Sequence, residues 1–452
     1  SMKKKNKILI FSVTIIFIIT FFVSFWIFID GGYDKQNKFI LGLKKIIPRN
    51  LAVKIRDTIF IIPELKYQNN LLQLQVDKYE QGLEGKIFRE KKISSLNGKE
   101  FKYEEFFLPF KQLDIKAGWN KLSNTFRAHY LEIVRDKVIV LSGEGKIISF
   151  EKTNINKEKL NQKVIKTNLK KLSSDNNFKF FGVRDILFDQ DKIYISMILE
   201  NEKGFTMNVY VSDYNLDYLD FSIFFEKGEY TKKYTIQSGG RLEKFKDNKI
   251  LLSLGTAEII KKRAQDDKYL EGKIISIDKN TKKFEILSKG HRNPQGLLYI
   301  SKNDLIINSE HGPKGGDEVN LNFLKKTNKI SNFGWPVASY GIEYDGTDPY
   351  KKSHSNFGFI EPFKNFTPSV GISEVLFLPK SSTRKENYLI VSSLRASSIY
   401  LLTINDNFTK ILNEDRIFFS DQRIRDIEYD YKLKKIIMIF ETTPSIATID
   451  LG

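Results

Sequence analysis

Apolar and polar positions change rhythm twice along the chain. Ile8 to Ile29 is an almost unbroken apolar run, interrupted only by Ser12, Thr14, Thr20 and Ser24. That length suits one helical crossing of a bilayer. Lys3, Lys4, Lys5 and Lys7 precede it, so the N-terminus is expected to stay cytoplasmic and the rest to lie in the periplasm or outside the cell. The run ends in Phe25-Trp26-Ile27-Phe28-Ile29-Asp30 without a small-residue cleavage site, which favours a retained anchor over a cleaved signal peptide. Residues 1–30 therefore read as a cytoplasmic tip and transmembrane helix.

Residues 31–109 read as a membrane-proximal stalk, partly helical. Phe39 to Ile47 is apolar with Lys44 and Lys45, and Pro48 ends it; such a piece can lie along a membrane surface. Leu65, Leu72 and Tyr79 recur every seven residues, with Val76 and Leu83 in the complementary register and Asn69 interrupting. This is either a helix packed on its own domain or a short coiled coil that would join copies of the chain into a homo-oligomer.

From residue 110 to 452 the rhythm is that of strands and turns. Six segments share one design: a short polar-apolar lead-in, a charged turn, then a β-rich run ending in small residues. The lead-ins are His129–Ile133, Val183–Ile186, Gly240–Leu242, Pro294–Leu297, Gly371–Val375 and Ile424–Ile427. The runs after the turns start at 137, 192, 249, 304, 387 and 435, and the one long gap holds the segment from Asn332 to Ser369. A β unit of roughly 50 residues repeated around a ring predicts an all-β, six-bladed propeller. Val138-Ile139-Val140-Leu141 and Ile436-Ile437-Met438-Ile439 have the continuous apolar character of strands buried on both faces.

Composition narrows the chemistry. The 452 residues contain no Cys, which excludes disulfides, thiolate metal sites and a Cys nucleophile. The net charge is +18, but Lys is scattered and Asp plus Glu number 55. No basic-aromatic nucleic-acid module is visible, so the charge reads as a solvated surface.

Chemistry-bearing residues crowd into one stretch: Gly290-His291-Arg292-Asn293-Pro294-Gln295-Gly296, Ser309-Glu310-His311-Gly312-Pro313-Lys314-Gly315-Gly316-Asp317-Glu318, and Asn332-Phe333-Gly334-Trp335-Pro336. Arg292 and Asn293 can present a cationic fork and an amide to an anionic ligand. The carbonyls of Gly312 and Pro313, with carboxylates at Glu310, Asp317 and Glu318, offer oxygen to a hard cation such as calcium. In a propeller, equivalent points of different repeats converge on one opening, so Arg292, Arg395, Arg423 and Arg425 are candidates for one cationic cluster. The alternative is a local acid for each, such as Asp426 for Arg425.

In these motifs and their order the chain resembles the glucose/sorbosone dehydrogenase family, soluble quinoprotein sugar dehydrogenases that use pyrroloquinoline quinone (PQQ) and calcium. The resemblance covers roughly residues 110–452 and implies a six-bladed propeller. It implies that Arg292, Asn293, Arg395, Arg423 and Arg425 contact PQQ, and that Gly312 and Pro313 give main-chain oxygens to calcium. It also implies oxidation of a small sugar or alcohol.

One departure weighs against turnover. The family's general base is a His followed by one residue and then Gly-Gly-Arg; the matching run here is Gln237-Ser238-Gly239-Gly240-Arg241. A neutral amide does not take a proton at ordinary pH. Where the family often continues Gly-Asp, Gly255 is followed by Thr256. His311 and Asp317 are the candidates for a substitute base beside Gln237. His129 and His354 read as ordinary turn or surface residues. Two expectations result: a membrane-anchored, outward-facing dehydrogenase, or a propeller that binds a ligand or protein without turnover.

Overall fold

The computed structural model describes residues 87–108, 128–156, 160–175, 177–232, 238–324, 329–419, 422–442 and 444–451. They form six sheets of four or five strands, antiparallel except for the short edge strands Tyr218–Leu219 and Ser331–Asn332, which pair in parallel. Numbered as blades 1 to 6 in chain order, their innermost strands are Tyr130–Val134, Lys179–Asp189, Gly239–Phe245, Pro294–Ile300, Ile372–Leu378 and Ile424–Asp430. Each innermost strand neighbours the next, and that of blade 6 neighbours that of blade 1, so the ring closes around a central channel. The six-bladed propeller expected from the repeat is the observed fold. The runs after the charged turns are the second strands, for example Lys137–Leu141, Lys249–Leu254 and Lys435–Phe440.

Two-sided burial explains the apolar runs. Val138, Ile139, Val140 and Leu141 are all fully buried. Side chains alternate across a strand, so Ile139 and Leu141 join the layer between blades 1 and 2, while Val138 and Val140 join the layer between blades 6 and 1. Ile436, Met438 and Phe440 likewise face blade 5, while Ile437 and Ile439 face blade 1. Every pair of neighbouring blades shares such an apolar layer.

Around the channel the blades are stitched by carboxylates. The Asp185 carboxylate of blade 2 accepts from the Leu242 N–H of blade 3 at 2.6 Å. Glu374 of blade 5 accepts from Leu297 N–H of blade 4 at 3.3 Å, and Asp426 of blade 6 accepts from Leu131 N–H of blade 1 at 2.9 Å. The Arg241 guanidinium sits among all three acids, 3.0 Å from Asp185, 2.8 Å from Asp426 and bonded to Glu374, with its carbon 5.1 Å from the Tyr130 ring centre. One buried cation therefore ties blades 1, 2, 3, 5 and 6.

The propeller's strands begin before residue 110. Ile87–Ser94 and Glu100–Phe107, within the stretch expected to be stalk, are antiparallel strands, and the second pairs with Ser445–Asp450. The N-terminal segment thus completes the sheet of the last blade. Buried acids hid this in the sequence: Glu104 and Glu105 interrupt the alternation of Phe101, Tyr103 and Phe106. Glu105 is satisfied from afar by Gln422 at 2.9 Å and Ser445 at 2.6 Å. The apolar run Ile8–Ile29 and the heptad pattern of Leu65, Leu72 and Tyr79 lie outside the described residues. Among the described residues no helix is long and apolar enough to cross a membrane.

Candidate functional site

The site is built where the loops leading into blades 4 and 6 meet the segment 310–317. Glu310, at the end of the second strand of blade 4, shapes the first loop. Its carboxylate takes the His291 ring at 2.7 Å and Arg292 N–H at 3.1 Å. The other His291 ring nitrogen is 2.8 Å from the Ser288 hydroxyl. The Asn332–Trp335 motif braces the same loop, with Trp335 N–H donating to the Gly290 carbonyl at 3.0 Å and Phe333 packed on His291 at 5.0 Å. Thr256 N–H donates to the Arg292 carbonyl at 2.7 Å and its hydroxyl to the His291 carbonyl at 2.8 Å. Thr256 therefore holds main chain where the family often has an acid.

Arg292 is aimed inward by this frame. It is 3 % exposed, and its guanidinium lies 5.3 Å from the Trp335 ring centre. It donates to the carbonyls of His311 at 3.2 Å and Gly312 at 2.6 Å. The nearest carboxylate, Glu258, is 3.9 Å away, and the buried Arg292 Nε has no hydrogen-bond partner. A buried cation this poorly compensated favours an anion beside it.

Gly312 has no room for a side chain: a Cβ there would meet the Gly316 carbonyl oxygen at 1.7 Å. This tight turn sets the carbonyls of Gly312 and Pro313. Gly312 O already holds the Arg292 cation, while Pro313 O accepts from Gly316 N–H at 3.0 Å. Both oxygens can serve a hard cation, but here Gly312 O is occupied by the Arg292 guanidinium and Pro313 O by a main-chain N–H. The carboxylates expected to support that pair do not converge on it. Glu310 is consumed by His291 and Arg292, and Asp317 by the N–H groups of Gly371 at 2.7 Å and Ile372 at 3.1 Å. Among the described residues no cluster of three acidic or His side chains is arranged to hold a metal.

A polar chain crosses the mouth from blade 3 to blade 6. Gly239 N–H donates to Asn293 Oδ1 at 3.2 Å, and Gln295 Nε2 donates to the same oxygen at 3.1 Å. Arg425 donates to Gln295 Oε1 at 2.8 Å and to Glu441 at 2.6 Å. Arg423 reaches the other Glu441 oxygen at 3.0 Å. Two guanidinium groups thus share one carboxylate and leave one positive charge over. Burial alone would raise the Glu441 carboxyl, but Arg425 and Arg423 hold it below the usual carboxylate range. The acid expected for Arg425, Asp426, serves Arg241 instead. Arg395, after the second strand of blade 5, is exposed, and its guanidinium has no ion pair among the described residues.

His311 stands between these groups. Burial pushes its imidazole down to about 4, against the pull of Asp317 and with help from Arg425, Arg292 and Arg423. This keeps it neutral at pH 7 and makes it a weak base. The structure thus brings Arg292, Asn293, Arg423, Arg425, His311 and Asp317 into one neighbourhood, with Gly312 and Pro313 on its wall. Gln237 lies outside the described residues.

Sequence reasoning gave no site role to Gln295, Glu441, Thr256 or His129. Glu441 had a signal, because it ends the sixth repeat's run where Glu310 ends the fourth's. His129 is not at a surface turn: it is 3 % exposed, accepts from Gly143 N–H at 3.3 Å and feels Glu441 and Arg425. His354 is also buried, between Glu318 at 3.6 Å and Glu361 at 3.7 Å.

Comparison with known proteins supports the family and the fold. The family model described as Glucose / Sorbosone dehydrogenase matches residues 141–441. An uncharacterized protein of Synechocystis is 29% identical over 231 residues, 46% of this chain and 54% of the relative. The aldose sugar dehydrogenase YliI of Escherichia coli is 29% identical over 180 residues, 36% of this chain and 47% of the relative. The chain spans about half the length of these curated relatives. The PQQ-bound aldose sugar dehydrogenase of Streptomyces coelicolor shares the fold, with a TM-score of 0.50 and 16% identity over 71% of this chain and 92% of that one.

Proposed function

The chain belongs to the glucose/sorbosone dehydrogenase family, and we propose that it is a PQQ- and calcium-dependent quinoprotein dehydrogenase acting on an aldose or related alcohol. We further propose that it is anchored by the apolar run Ile8–Ile29, with the propeller facing outward. The observation that carries the enzymatic reading is Arg292: buried, short of a counter-charge and with an unpaired Nε, beside two further arginines that share one carboxylate. A compact polycarboxylate suits that charge pattern.

When bound, PQQ would accept a hydride and calcium would polarise the carbonyl that receives it. Arg292, Asn293, Arg395, Arg423 and Arg425 would hold the cofactor's oxygens, and Gly312 and Pro313 the metal. Metal binding would require Arg292 to release the Gly312 carbonyl and turn to the cofactor. Trp335, buried beside Arg292, limits water on that side. His311, neutral but held a weak base by burial and the nearby arginines, is the nitrogen we assign to take the substrate hydroxyl proton, and Asp317 is the group that pulls its pKa back up.

The test is dye reduction by the full-length chain supplied with PQQ, calcium and a panel of aldoses and alcohols. Substrate-dependent reduction that Arg292→Ala abolishes supports the proposal; an inert reconstituted chain contradicts it. Gln237 favours a second reading, a propeller that binds without turnover. On that reading Gln237→His alone would create activity, by about a hundred- to ten-thousand-fold.

A further inference from the structure

The site uses the loops at the start of the innermost strands. Further along the same strands, past the layer of Arg241, the channel opens into a second chamber of about 520 Å³, lined by residues of all six blades. We propose that this chamber is a binding site for a small aliphatic polyammonium cation, held by Glu132, Glu243 and Glu428.

The charges lining the chamber do not cancel. Lys152 is tied to Asp430 at 2.7 Å, and Arg241 is consumed by Asp185 and Glu374. Glu132, Glu243 and Glu428 are left, from blades 1, 3 and 6, facing only the exposed Lys244 and Lys432. Glu132 is decisive: it is 8 % exposed, points into the chamber, and has neither hydrogen bond nor ion pair among the described residues. A buried carboxylate without a partner is costly unless a cation or proton joins it. Burial together with Glu428 pushes Glu132 well above the usual range, and burial lifts Glu243 and Glu428 to about 8. Carboxylates held together without a counter-cation behave this way.

The shape of the chamber selects the class of cation. No three acidic or His groups among the described residues approach closely enough to ligate a bare metal ion. The space is larger than an ion needs, and between the glutamates its wall is aliphatic, with Ile133, Leu187, Leu298 and Leu376. Tyr429 and Tyr431 stand at its edge, and Tyr431 is 67% exposed. Methylenes against leucines, ammonium groups against glutamates and aromatic rings match an alkyl polyamine.

The chain's net charge of +18 repels polycations elsewhere, so saturable uptake of one marks a local site. The experiment is calorimetric titration of the full-length chain with spermidine at pH 8.5, with calcium as competitor. Expected is one saturable site per chain, weakened at least about tenfold by Glu132→Gln or Glu428→Gln. Lys244→Ala, which removes a competing cation from an exposed position, is expected to tighten binding several-fold. Absence of saturable binding overturns the proposal. So does binding that neither Gln variant changes, or displacement by calcium at equal concentration.

Discussion

The two ends of the central channel are made from the same six strands and carry opposite charge. At the loop end Arg423 and Arg425 share one carboxylate, Glu441, and Arg292 has only Glu258 at 3.9 Å. At the far end Glu132, Glu243 and Glu428 face Lys244 and Lys432. Between them lies Arg241 with Asp185, Glu374 and Asp426. The difference teaches how a propeller sets chemistry. The strands fix positions, the residues before each strand fix one mouth, and the residues inside each strand fix the other. The Arg241 layer, one cation among three carboxylates, separates the two ends of the channel.

Removing the divider should have the largest effect. Arg241→Met leaves three buried acids without their cation, and a broken buried ion network costs about 3–5 kcal/mol. Urea unfolding is expected to show that loss, and a change below about 1 kcal/mol would mean the layer is not what joins the blades. Next comes the basic mouth. Arg292→Ala is expected to cost about 2–4 kcal/mol of PQQ affinity, roughly thirty- to a thousandfold, with little change in melting temperature. A variant that binds as well as wild type would remove Arg292 from the site.

The two ends should also titrate in opposite directions. Glu441 has a depressed folded pKa, so its contribution is present above the ordinary carboxylate pKa and is lost as pH falls through the folded value. Glu441→Gln should lower stability at pH 7 by about 1–3 kcal/mol and flatten the acid limb of the stability curve. Glu428 is raised to about 8; the fold favours its protonated form, so stability falls as pH rises from about 4.5 to about 8. Glu428→Gln should therefore be nearly neutral at pH 5 and stabilising by on the order of 1 kcal/mol at pH 8. Parallel pH profiles for these two variants would erase the contrast between the ends.

Much of this was legible in sequence, for a definite reason. Repeats expose themselves because each blade must bury both faces, so Val138–Leu141 and Ile436–Ile439 read as core before any coordinates. The motif around Arg292 was legible because glycines and polar residues at fixed offsets have few structural uses. The partners of those residues were not legible. Arg425 pairs with Glu441 rather than the adjacent Asp426, at a register shift between Ile424 and Asp426 that ordinary strand alternation does not foretell. Asp426 was left for Arg241, 185 positions away. Glu104 and Glu105 hid a strand because part of their satisfaction comes from Lys435, Gln422 and Ser445, more than 300 positions distant, beside the local Lys102 and Tyr103. Asp317 read as a catalytic or metal carboxylate, yet main-chain N–H groups of the next blade hold its Oδ2.

The decisive measurement is spectroscopic titration of the full-length chain with PQQ, with calcium present and with calcium removed by chelation. Saturable binding that requires calcium and is lost in Arg292→Ala is the expected result. Absence of binding at every calcium concentration would mean that the basic mouth does not hold the cofactor and would contradict the proposed dehydrogenase.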